Sequence, residues 1–312
     1  MPIGIASREE AKAKDFCERF NLKSSFGNYA EAIDSDFSTI VIGVPPKYHF
    51  ELGNQVLRAE KNLIIEKPVV NSFEELKQLW PKLNGSKKAV LVAENHHFDP
   101  FHQKIKACLK ENDFGRPLFL DLIRLGRPKM KDWRSEGAEM SLGALHEGGV
   151  HWIRRLLDFA NVYETNPYDS VLGVSAHTPS FSLLNKPFED TMSVTARHAS
   201  GLVSRLFHSW GMPRRCGLAE MSKMQLEKAT VYFDPRGLGG FIKGKRGKII
   251  FPPLYDFGGF KTMWKDFVAV LEGEKKPTLS LKDIFLDFAY MDAAYRSAQS
   301  HQEERLEKIQ TL

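Results

Sequence analysis

Cysteine is scarce in this sequence: Cys17, Cys108 and Cys216 are the only three among 312 residues. They lie far apart with no CxxC spacing, which argues against a disulfide framework or a zinc knuckle. No run of about 18 apolar residues occurs, so no membrane-spanning helix is expected. The opening MPIGIASREEAKAK turns charged before any apolar stretch develops, unlike a secretory signal. A reducing, cytoplasmic setting is the expectation. Neither sign of charge dominates: 44 basic against 39 acidic residues leave +5. That surplus is too small to indicate a nucleic-acid partner, and the basic stretch Lys243 to Lys248 reads as a solvated hairpin. Internal repeats and low-complexity tracts are absent. The remainder is an ordinary globular composition, 42% hydrophobic and 27% charged, long enough for two domains with real cores.

The first third alternates strand and helix patterns. Ile3–Ala6 reads as a strand, Glu9–Phe20 as a helix and Tyr29–Ile33 as a short helix. Thr39–Val44 is a continuous apolar run, the pattern of a strand buried on both faces. Tyr48–Ala59 follows as a helix, Asn62–Ile65 as a strand, a helix capped by Ser72 with Glu75, and Ala89–Ala93 as a strand. Such alternation implies a parallel sheet with right-handed crossovers. After about Asn95 the strands lengthen and alternate in polarity: Leu118–Leu125, Ser170–His177, Thr191–Ala199 and Val203–Trp210. This is the pattern of an antiparallel sheet with one covered face. Lys261–Glu272 and Leu281–Ser300 read as amphipathic helices.

Open parallel sheets bind ligands at the carboxyl ends of their strands. Ser7 and Arg8 stand at one such end, and an arginine there suits a ribose phosphate. Val44-Pro45-Pro46-Lys47-Tyr48-His49 forms a stiffened loop at the next. Glu66-Lys67-Pro68 stands at a third, where a lysine could protonate or polarise a hydroxyl or carbonyl oxygen. A surface lysine and a solvated arginine are the plainer readings of these residues taken singly. Glu147 and His151 are four apart, hence on one face of a helix, and a carboxylate beside an imidazole orients it for proton transfer. His146, Glu147 and His151 lack the HExxH order and nearby thiolates of a metal centre, so no metal is expected. His96, His97 and His102 read as a polar loop.

In order along the chain, these segments resemble the Gfo/Idh/MocA family of NAD(P)-dependent oxidoreductases. Ile3 to Arg8 is similar to the family's second strand, and Val44 to His49 to its T-P-N-x-x-H loop. Glu66-Lys67-Pro68 matches its E-K-P. Ala93 to Pro100 is similar to A-E-N-x-R-F-x-P, with His97 in the arginine place. Gly143 to His151 resembles G-A-L-x-D-x-G-x-H, with Glu147 for aspartate. The resemblance implies an α/β fold: a truncated Rossmann-like parallel-sheet domain over residues 1–96, then an α+β domain with a large, mostly antiparallel sheet over 97–312. It implies hydride transfer between a nicotinamide cofactor and a hydroxyl or carbonyl of a sugar, polyol or related small molecule. Lys67, His151 and Glu147 would be catalytic. Ser7, Arg8, Pro45, His49, Glu66 and Lys67 would meet the cofactor, with NADP(H) favoured over NAD(H). His97, Trp133 and Arg134 would line the substrate pocket. A homodimer or homotetramer is implied through the open sheet. The family's G-x-G-x-x-G turn, in a first unit of roughly 30 residues, has no counterpart here. Its loss would open the middle of the sheet and remove a phosphate-binding helix end. The alternative is therefore a non-catalytic relative acting in binding or regulation.

Overall fold

The computed structural model describes residues 3–128, 143–213, 221–245, 247–253 and 255–308. Parallel strands come first. β1 (Gly4–Ala6) pairs with β2 (Ser24–Phe26), with α1 (Glu10–Arg19) between them. After α2 (Tyr29–Asp34), β3 (Thr39–Ile42), β4 (Asn62–Glu66) and β5 (Val90–Ala93) form a second parallel sheet in that order. α3 (His49–Arg58) and α4 (Phe73–Gly85) make its crossovers. α4 starts as its sequence dictates: Ser72 Oγ accepts the Glu75 N–H at 3.1 Å, and Glu75 returns a bond to the Asn71 N–H at 2.8 Å. Leu63, Ile65, Leu76 and Leu79 are fully buried between strand and helix.

One strand expectation fails in part. The apolar run Thr39–Val44 predicts a strand buried on both faces, yet Val41 is 54% exposed and the strand ends at Ile42. The reason is position: β3 pairs only with β4, so it is an edge of its sheet. A continuous apolar run does not by itself distinguish a central strand from an edge.

The rest of the chain builds around an eight-stranded sheet. Its members are β6 (Pro117–Leu125), β7 (Val171–His177), β8 (Thr191–His198), β9 (Val203–Ser209), β10 (Ser222–Leu226), β11 (Ala229–Phe233), β12 (Gly240–Gly244) and β13 (Lys248–Ile250). They lie in the order β13-β12-β11-β10-β6-β9-β8-β7. All neighbours are antiparallel except β6 and β9, which run parallel. α5 (Pro100–Glu111) and α7 (Phe260–Leu271) pack against the turn at residues 95–98, and α6 (Val150–Ala160) packs on β6 and β9. α8 (Leu281–Ser300) opens with a Ser280–Asp283 capping box. α8 joins the two halves: Phe285 meets Phe73 and Trp80 edge-on, with ring centroids 5.2 and 4.9 Å apart. That leaves α6 between the large sheet and the carboxyl ends of β4 and β5, where the chemistry collects.

Candidate functional site

Lys67 follows the last residue of β4, and its peptide bond to Pro68 is cis. Its Nζ donates to the backbone carbonyl of Glu147 at 2.6 Å. Glu147 lies in a π-helical turn, Leu145–Gly149, that runs directly into α6. His151 is the second residue of α6. Its Nδ1 lies 2.6 and 2.7 Å from the two carboxylate oxygens of Glu94. Glu94 follows β5 and is 1% exposed. Its Oε1 also accepts the His96 N–H at 3.1 Å. The His96 ring stacks on His151 at 4.2 Å and meets Trp152 edge-on. Three strand-end or helix-start residues thus converge: an ammonium, an imidazole and a carboxylate.

The carboxylate at His151 Nδ1 is therefore Glu94, not Glu147. The four-residue spacing presumed an α-helix, whereas the π turn closes i→i+5 bonds and rotates Glu147 out of that register. Glu147 presents its backbone carbonyl to Lys67 instead. In the sequence Glu94 stands only within the Ala93–Pro100 segment. Its partner lies 57 residues on, beyond any local spacing rule.

Burial governs the charge states. It pushes Glu94 up and, together with the nearby cations of Lys67 and Arg155, pulls His151 well below its usual value. His96 is lowered well below its usual value too, by burial first and then by His151. The pair is thus held with a neutral ring. A carboxylate at Nδ1 makes Nδ1 the donor and leaves Nε2 as the basic nitrogen. His151 keeps 14% side-chain exposure, enough to meet a ligand. Glu94, His96 and His151 have ligand-type atoms within 4.8 Å of one another. The short Glu94–His151 bond engages the groups a cation would need, and Lys67 stands beside them. The trio has the donor types of a metal site, and the same short carboxylate–imidazole bond suits proton transfer.

The remaining candidates divide. Ser7 and Arg8 follow β1, and the Arg8 guanidinium donates to the Tyr48 hydroxyl at 2.7 Å and lies over its ring. Lys47 Nζ sits 4.9 Å from the same ring, so two cations flank one aromatic. Pro45 opens the short turn Pro46–Tyr48. Glu66 ends β4 and is raised by burial. His49, expected at the cofactor, is fully buried, with its ring nitrogens 2.9 Å from Pro68 O and 2.8 Å from Val44 O. Burial lowers the ring towards its neutral form, which donates to one of these two carbonyls, so His49 fastens the loops from inside. His97, expected at the substrate, is also corrected. It is 6% exposed, and its Nδ1 donates to Asp158 Oδ2 at 2.7 Å. His102 reaches the same oxygen at 3.2 Å. The supposed polar loop is an interior network, because Asp158 of α6 offers a buried acceptor that the sequence could not place opposite it. Trp133 and Arg134 lie outside the described residues.

Comparisons with known proteins give the family and the fold. Residues 2–94 match the Gfo/Idh/MocA model described as an oxidoreductase family with an NAD-binding Rossmann fold. Residues 102–231 match the Gfo/Idh/MocA C-terminal domain. The chain is 25% identical over 158 residues to a trans-1,2-dihydrobenzene-1,2-diol dehydrogenase of Danio rerio, covering 50% of this chain and 46% of that one. It is 26% identical over 178 residues to a dTDP-3,4-didehydro-2,6-dideoxy-alpha-D-glucose 3-reductase of Saccharopolyspora spinosa, covering 56% and 51%. The chain thus spans about half the length of the curated relatives it matches. Among solved structures, an aldose-aldose oxidoreductase of Caulobacter crescentus superposes with a TM-score of 0.82 at 16% identity, covering 97% and 91% of the two chains.

Proposed function

The chain belongs to the Gfo/Idh/MocA oxidoreductase family, and from that premise we propose that it transfers hydride between a nicotinamide cofactor and a hydroxyl or carbonyl of a sugar, polyol or cyclic diol. The observation that carries this reading is the convergence of Lys67 Nζ, the Glu147 carbonyl and the Glu94–His151 pair at the ends of β4 and β5. When bound, the nicotinamide ring accepts or donates the hydride. The chain's own residues handle the proton. His151 takes it from the substrate hydroxyl at Nε2, while Glu94 steadies Nδ1 and the imidazolium that forms. The Lys67 ammonium lies where it can hydrogen-bond the same oxygen and stabilise its developing charge. In the reducing direction His151 returns the proton.

Within this reading residues 1–96 form the cofactor domain and 97–312 the substrate domain. The donor set where the end of β1 meets the Pro46–Tyr48 turn fits the cofactor's ribose end: Arg8, Lys47 and Tyr48 offer two cations and an aromatic face. Such a set suits a 2′-phosphate, so NADP(H) is preferred over NAD(H). Replacing Arg8 by Ala is expected to weaken NADPH by about tenfold, one lost charge-assisted contact, and to leave NADH within about twofold. Fluorescence titration with both cofactors checks this. Equal losses for both would refute the phosphate assignment. No binding of either at millimolar cofactor would point to the non-catalytic relative. The exposed Phe119, Leu172 and Ile249 of the large sheet make it the proposed face of a homodimer or homotetramer, which light scattering tests.

A further inference from the structure

The π turn that brings Glu147 to Lys67 is a weak place in a helix, because its wide bonds constrain the backbone less tightly than an α-helix does. Its first amides also have no partner within the helix. Here they are satisfied from outside. Glu189, in the loop before β8, accepts the Ala144 N–H at Oε2 and the Leu145 N–H at Oε1, both at 2.9 Å. Its backbone carbonyl accepts the Ala144 N–H as well, at 2.8 Å. Tyr295 of α8 donates its hydroxyl to Glu189 Oε1 at 2.6 Å and accepts the His146 N–H at 3.2 Å. The contact is closed: a Cβ on Gly143 would fall 2.2 Å from the Glu189 carboxyl carbon. Burial pushes Glu189 up to about 7 even with these donors around it. An interior carboxylate is thus retained at a cost at the head of the segment that bears the proton relay.

We infer that Glu189 and Tyr295 are positioning residues: they fix the first turn of the segment 144–151 and thereby set His151 against Lys67. The segment then has three tethers. Glu189 and Tyr295 hold its start, Lys67 holds the Glu147 carbonyl in its middle, and Glu94 holds His151 at its end. Losing the first would let the π turn relax towards regular helix and carry His151 out of register with Lys67. The effect on turnover rests on the proposed hydride-transfer reading; the effect on local order does not.

Tyr295→Phe removes one hydroxyl, and Glu189→Gln keeps the shape while removing the charge. Both are compared with the unaltered chain by amide hydrogen exchange over residues 144–150. The kcat and KM are measured with NAD(P)+ against a panel of aldoses, polyols and vicinal diols. Faster exchange in that segment is expected, with kcat lowered by about tenfold or more and the cofactor KM unchanged. Unchanged exchange overturns the anchor. Faster exchange with unchanged kcat overturns the positioning role. Should the unaltered chain turn over none of the panel, the reaction reading fails by itself, and the 15N shifts of the His151 ring replace kcat. Displaced shifts in Tyr295→Phe then support the inference, and unchanged shifts overturn it. Should Glu189→Gln not fold, Tyr295→Phe decides alone.

Discussion

Turnover is expected to fall by about 100-fold or more when His151 becomes Asn or Lys67 becomes Met, the range for a lost general acid–base group. The two substitutions should differ in kind. Asn at 151 can still bond Glu94 but cannot take up a proton. Met at 67 keeps the side chain's length but removes the donor to the Glu147 carbonyl, so both the developing charge and the π turn lose support. Stopped-flow reading of NAD(P)H absorbance separates the hydride step from product release, and cofactor affinity should hold in both variants. Glu94→Gln is expected to cost about 10- to 100-fold, the range for a group that orients a reacting one. Rates near those of the unaltered chain in His151→Asn would remove His151 from the reaction.

The pH profile has a definite sign. Burial, with Lys67 and Arg155 nearby, lowers His151 well below 6.5. The bond to Glu94 works the other way, but Glu94 is itself raised by burial, so the neutral ring prevails. A base held in its neutral form stays active as pH falls through 6.5. The acid limb of the oxidation rate should therefore lie well below that value. A limb at or above 6.5 in kcat/KM would show that the ring is not desolvated in solution.

Local rules made the parallel half legible. Buried apolar runs, the Ser72 cap and residues at strand ends placed Lys67, Ser7 and Arg8 where the structure has them. Of the candidate site, only Lys67 and His151 are legible in the sequence. Its carboxylate was misassigned because the π turn shifts the register by one residue, and no helical spacing predicts such a turn. β10 and β11 are hard to read because Ser222–Leu226 and Ala229–Phe233 are only five residues each, and they find their partners across the sheet. His49, His97 and His102 misled for a related reason. Sequence shows no partner for a histidine, but each of these faces an acceptor supplied by distant chain: Pro68 O for His49, Asp158 for the other two.

Arg154→Met is expected to destabilise the fold by about 3–5 kcal/mol, the cost of leaving buried carboxylates without their cation. Arg154 is fully buried on α6, three residues after His151. Its Nη1 donates to Asp283 O at 3.0 Å and lies 3.2 Å from Asp287 Oδ1, while its Nε lies 3.7 Å from Asp158 Oδ1. One guanidinium cannot balance both interior carboxylates, and the structure shows how the deficit is divided. Burial alone would raise Asp158, but Arg154 and His97 outweigh it and hold Asp158 well below its usual value; His102 and Lys106 also reach it. Asp287 lacks those extra partners, and burial pushes it well above its usual value. The signs of the linkage follow. Asp158 contributes stability above the unfolded carboxylate range, and loses it as pH falls through its depressed folded value. Asp287 binds its proton more tightly when folded, so its contribution is present at low pH and fades as pH rises through its raised value. Urea unfolding at neutral pH then separates the two. Asp158→Asn should lose several kcal/mol, as for a broken buried pair. Asp287→Asn replaces a carboxyl group that burial already shifts towards its neutral form, and should lose clearly less. Equal losses in the two variants would mean that Asp287 is charged, and that Arg154 divides its attraction evenly between α6 and α8.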